Sequence, residues 1–207
     1  MWISNFIAET GWLILPIILF SIFSLAIILE RIFFYQKITF KTSSIITRVF
    51  KAVRRNYITE AIDICKKNPF HTTNTLKSGL VHYSESKEVI KESMENASLY
   101  EIPKLEKNLN FLSTIAHVSP LIGLLGTVIG MIECFEVVKI GTATIGRLNP
   151  SDLAGGISKA LNTTAAGLCV AIPTYLAYNY FVHKVNTCVL EIERGATELL
   201  EIKSERS

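Results

Sequence analysis

Residues 111 to 132, FLSTIAHVSPLIGLLGTVIGMI, lie between Lys107 and Glu133 without a carboxylate, lysine or arginine among them. A helix of that length crosses the roughly 30 Å hydrocarbon core of a bilayer. At about 100° per residue, Ala116, Pro120, Gly123, Thr127, Gly130 and Cys134 fall within about 40° of one line, and each is small or lacks a long side chain. The opposite face collects Val118, Leu121, Leu125, Val128, Ile129 and Ile132. Lipid tails are as apolar as leucine, so helices in membranes associate through close backbone approach, which small residues permit. The segment therefore has a protein side and a lipid side.

Two further runs share this character. Gly11 to Leu29 is uncharged, flanked by Trp2 and Trp12 at one end and Phe33, Phe34 and Tyr35 at the other, as interfacial anchors are. Residues 1 to 11 hold no lysine or arginine, so the basic start of a cleavable leader is missing and the run is expected to be retained. Ala160 to Val182 is also uncharged, with Ala160, Thr164, Gly167, Ala171 and Thr174 on one helical face. The spacing of Val185, Val189, Ile192, Ala196, Leu199 and Leu200 predicts that this helix continues into the charged tail.

Charge then orders the rest. Fourteen of the 21 basic residues lie from Arg31 to Lys107, against Lys139, Arg147 and Lys159 in the second connection. The positive-inside rule puts the long loop and the tail in the cytoplasm and the N-terminus outside. The expected divisions are an outer segment 1–10, spans at 11–30, 108–133 and 159–183, a cytoplasmic helical region 31–107, an outer connection 134–158 and a cytoplasmic tail 184–207. Gly141, Gly146, Asn149 and Pro150 are the connection's turn signals. Within 31–107, Ile58, Ala61, Ile62 and Cys65 form one helical stripe, stopped by Lys66, Lys67, Asn68 and Pro69. Leu76, Leu80 and Tyr83 form a second, and a third helix starting at Ser86 is expected to bend at Pro103 and feed the central span. The fold class is all-α: an integral membrane protein with three spans and a helical cytoplasmic part.

Several function classes drop out. Charges of alternating sign read as solvated helix faces, so no nucleic-acid partner is expected. Cys65, Cys134, Cys169 and Cys188 have neither disulfide-framework nor metal-ligand spacing, so no metal or cofactor is expected. Gly123, Gly126 and Gly130 lie inside an apolar span without a preceding strand, which makes them packing residues rather than a phosphate loop. His117, about 100° round from Ala116, reads as a packed or interhelically bonded histidine rather than a relay. Glu133 and Glu136 read as helix-end carboxylates in water. Two small faces in a three-helix bundle are most simply satisfied by self-association into a ring.

The runs PLIGLLGTVIGMIECF at 120–135 and GGISKALNTTAAGLCVAIP at 155–173 resemble the MotA/TolQ/ExbB proton-channel family, and three spans place the chain nearer ExbB and TolQ than MotA. The resemblance implies a homo-oligomeric ring, a pentamer in known cases, around an ExbD- or TolR-like partner with a single span. It also implies onward coupling to a TonB- or TolA-like protein at the bacterial inner membrane, and no enzymatic activity. Thr127 and Thr164 match the family's pore threonines, and Thr163 and Thr174 join them as candidate pathway residues. Gly123, Gly126, Gly130, Ala160, Gly167 and Ala171 form the packing faces. Many relatives carry a glutamate where this chain has Lys159, so no carboxylate role passes to that position. Neither aspartate nor glutamate lies within the uncharged runs 11–29, 111–132 and 160–182, so the titrating carboxylate is expected on the partner, where the family has an aspartate. A self-contained channel or a non-conducting scaffold are the competing readings; the first requires an ionisable residue within a span, and only His117 answers.

Overall fold

The computed structural model describes residues 13–144 and 150–205, with side chains outside 37–42 and 140–152. The expectations for segment 1–10, Trp2, Trp12, Gly146, Arg147 and Asn149 lie outside the described residues. Six helices follow in order: α1 (Ile14–Arg54), α2 (Ile58–Lys67), α3 (His71–Val81), α4 (Lys87–Glu106), α5 (Leu109–Thr144) and α6 (Pro150–Ser204). No strand occurs among the described residues. Three of the helices are long and apolar enough to cross a membrane.

Contacts divide the chain into two compact units, one of residues up to Leu29 plus Asn110–Asn179 and the other of Glu30–Leu109 plus Tyr180–Ser207. One division falls at the start of α5 and two fall inside helices, at Leu29/Glu30 of α1 and at Asn179/Tyr180 of α6, because the backbone hydrogen bonds of a helix continue whether lipid or water surrounds it. In the first unit only 17 to 22% of each span is buried within the chain. Leu19, Leu121, Leu125, Val128, Leu161 and Leu176 are exposed. Apolar surface of this extent needs lipid or other chains against it.

The second unit has a core of its own. Val49 and Val53 from α1, Ala61 and Cys65 from α2, Leu76 and Leu80 from α3, Ile90 and Met94 from α4, and Leu199 and Ile202 from α6 are all buried. α3 is the most enclosed, and Gly79 makes room for α4: a Cβ there would stand 2.6 Å from Met94 Sδ. The Ser78 and Ser93 hydroxyls meet across the same pair of helices at 2.7 Å. Glu101 is tied by His71 Nδ1 at 2.6 Å, Lys104 Nζ at 2.8 Å and Asn74 Nδ2 at 3.2 Å. Burial alone would raise its carboxyl, but the hydrogen bonds and charges of Lys104 and His71 outweigh that and hold it below the usual carboxylate range.

Two expectations are corrected here. The third soluble helix does not run on into the central span; Pro103 lies inside α4, which ends at Glu106, and the chain turns through Asn108 at φ 62° before α5 begins. Asparagine tolerates this left-handed conformation better than other side chains with a Cβ, and Asn108 Nδ2 donates to Glu30 Oε2 at 2.9 Å. The stretch read as a connection at 134–158 is helical up to Thr144 and again from Pro150, so Gly141 does not end a helix. Pro150 is the first described residue of α6, and proline is tolerated in a helix's first turn.

Candidate functional site

The small-residue faces of α5 and α6 lie against each other within one chain. A Cβ on Gly123 would stand 3.0 Å from Thr164 Cα, and one on Gly130 would stand 2.8 Å from Ala160 Cβ. A Cβ on Gly126 would overlap Thr163 Cγ2, and one on Gly156 would overlap Cys134 Sγ. At Gly167 the neighbours are backbone: Ser119 O at 2.6 Å and Gly123 Cα at 3.2 Å. The pairs run antiparallel along a continuous seam. Self-association is therefore not needed to cover these faces; each covers the other.

The four threonines are held differently. Thr163 and Thr174 are buried and donate to their own helix, to Lys159 O at 2.9 Å and Val170 O at 2.6 Å. Thr127 is half-buried and donates to Leu124 O at 2.7 Å, also on its own helix. Thr164, half-buried as well, donates across the seam to Gly123 O at 2.8 Å. Ala160 and Ala171 are buried in the same unit.

With the hydrogens of Thr127 and Thr164 committed to backbone carbonyls, their oxygens are left as acceptors only. A carboxylic acid O–H or a water can donate to them; a carboxylate finds no donor there. Lys159 Nζ donates to Glu133 Oε2 at 2.8 Å across the seam, beyond Gly130 and Ala160. Its side chain is 32% exposed and that of Glu133 49%, so the pair is worth about 0.2–1 kcal/mol. Sequence reading marked Lys159 as a departure without seeing this partner, and it missed Ser119 and Gly156. The available signal was antiparallel register: with Gly123 facing Thr164, the residues before one face those after the other.

Residues 67–194 match the family model described as the MotA/TolQ/ExbB proton channel family. The chain belongs to this family. It is 31% identical over 192 residues to ExbB-like 3 of Synechocystis sp., a biopolymer transport protein by name, covering 92% of this chain and 90% of that one. The Tol-Pal system protein TolQ of Haemophilus influenzae is 32% identical over 185 residues, 84% of this chain and 79% of its own. The biopolymer transport protein ExbB of Aquifex aeolicus is 33% identical over 118 residues, 57% of this chain and 76% of its own. The family match takes in all of α3, α4 and α5 and most of α6, so the whole glycine and threonine seam lies inside it.

Proposed function

We propose that this chain is a ring-forming, non-enzymatic subunit of an inner-membrane complex that turns proton flow into mechanical work on a partner, serving outer-membrane transport or envelope maintenance. The family and the names of its ExbB and TolQ relatives support the reading. The observation that carries it is the pairing of acceptor-only threonines with uncharged runs, 11–29, 111–132 and 160–182, that contain no aspartate or glutamate. The titrating acid then belongs to a single-span partner of ExbD or TolR type, with a TonB- or TolA-like protein beyond it, inside a ring that is a pentamer as the resemblance implies.

Thr127 and Thr164 favour the acid when it is protonated, because only then can it donate to them. One charge moved across 100 mV is worth about 2.3 kcal/mol, close to the ~2.5–3.5 kcal/mol that insertion scales assign to a charged side chain at mid-membrane. Gain and loss of one proton is therefore enough to change which face of the ring the partner prefers. Reconstitution in liposomes with and without the partner, under a proton gradient, tests this. Thr164→Val, which loses the acceptor and about 1 kcal/mol of interhelical hydrogen bond, is expected to assemble and lose most proton-driven work. Thr164→Ser, which restores both, is expected to recover it. Full activity in Thr164→Val rules out the role, and a Thr164-dependent leak from the chain alone favours a self-contained channel.

The topology, with the N-terminus outside and the C-terminus in the cytoplasm, needs introduced probes. Native Cys65 is enclosed, and burial pushes its thiol up to about 11; Cys134 is enclosed too, against Leu153 O. Neither reports its side of the membrane. In a cysteine-free background, an impermeant thiol reagent is expected to label Glu136→Cys in intact spheroplasts. Ser84→Cys should react only after the membrane is opened. Both positions are exposed in the chain, and the opposite pattern inverts the assignment.

A further inference from the structure

His117 is neither packed away nor bonded between helices. It is exposed, its Nδ1 lies 2.7 Å from the carbonyl oxygen of Ser113 on its own helix, and its ring meets Tyr175 of α6 edge-on at 6.0 Å. A carbonyl oxygen only accepts, so Nδ1 carries the hydrogen and the Nε2 lone pair is left free. An ionisable side chain on the surface of a membrane span is costly against lipid, and such groups face protein interior or water.

A second observation says which. Asn110, Thr114 and His117, at i, i+4 and i+7, share one face of α5 and are all exposed. On α6, Tyr175 and Asn179 at i and i+4 are exposed as well. Together they make a polar strip that starts at the boundary of the first unit, at Asn110 and Asn179. Seven residues at about 1.5 Å each carry it roughly 10 Å into the span. Over the next three turns of α5 beyond His117 the exposed positions are Leu121, Leu124, Leu125 and Val128, all apolar. The strip therefore stops at the imidazole.

We propose that in the assembled complex this strip lines a water-filled half-channel, and that His117 is a proton-binding station at its inner end. The inference rests on the proton-conducting reading above. A proton from water joins the Nε2 lone pair while Nδ1–H stays on Ser113 O, giving an imidazolium; return of the Nε2 proton to water restores the neutral ring. The group facing it from α6 is Tyr175. On its own helix Ser113 and Thr114 flank it, and residues 13–29 of α1 in the same unit carry no titratable side chain.

The test separates water access from proton transport. In a cysteine-free chain assembled with its partner, single cysteines at 110, 114 and 117 are each expected to react with a small charged thiol reagent, which needs a hydrated thiolate. Cysteines at 121 and 125 should stay unlabelled. The labelling should survive in Thr164→Val even if that variant does no work, so loss of the motor reading alone leaves it intact. With labelling established, His117→Gln, which keeps polar bulk, is expected to lose one titration step from the pH profile of proton uptake. Labelling at 117 no faster than at 121, or an unchanged profile in His117→Gln, overturns the proposal.

Discussion

Replacing Gly167 by alanine is expected to break the α5–α6 seam, although alanine is the better helix former by about 1 kcal/mol. The added methyl would meet the Ser119 carbonyl at 2.6 Å and Gly123 Cα at 3.2 Å. Neither is a side chain that can rotate away, so the helix axes must separate. Overpacking of this kind costs about 1–3 kcal/mol. Separation also stretches the 2.8 Å bond from Thr164 to Gly123 O, worth about 1 kcal/mol more. Gly130→Ala differs, because its close neighbour is the Ala160 methyl at 2.8 Å; there the double variant with Ala160→Gly should recover. Gly155→Ala is the control, with nothing within 4 Å of the new methyl. Thermal unfolding in mild detergent ranks them, and a Gly167→Ala protein as stable as the parent would show that the seam does not hold the spans together.

Much of this was legible in the sequence, for reasons that also set its limit. Absence of charge over about 20 residues is a one-dimensional signal, so the three apolar runs appear as long helices. Periodicity likewise marked Ala61, Cys65, Leu76, Leu80 and Tyr83, and all five are buried. Periodicity says that a face is small; it does not say what meets it. That is why the faces of α5 and α6 pointed to neighbouring copies, when Gly123 meets Thr164 and Gly130 meets Ala160 in the same chain. The break at Asn108 was hidden by Pro103, the stronger local signal, because a left-handed asparagine is set by its surroundings, here the carboxylate of Glu30. His117 was placed off the small face by angle alone, and an angle on one helix cannot show that Tyr175 approaches from another.

Leu199→Asp is expected to dismantle the second unit, although Leu199 lies in the charged tail of α6. Its side chain is fully buried among core residues of α1 to α4, and its Cδ2 stands 3.0 Å from where a Cβ on Gly79 would lie. Truncation of such a leucine to alanine costs about 2–5 kcal/mol, and a carboxylate left there without a partner costs more. The polar ties of the same segment are weaker. Arg54 to Glu198 at 3.1 Å joins side chains 67% and 40% exposed, which is worth about 0.2–1 kcal/mol. Lys87 Nζ to Ser204 Oγ at 2.8 Å is exposed as well. Glu198→Ala should therefore be nearly silent, and so should Leu190→Asp, since Leu190 is 51% exposed on the same helix. Limited proteolysis of the purified protein reads the outcome: Leu199→Asp is expected to expose cleavage sites throughout residues 55–107 at protease levels that leave Glu198→Ala and Leu190→Asp intact. Equal resistance in all three would mean that the tail of α6 rests on the unit without holding it together.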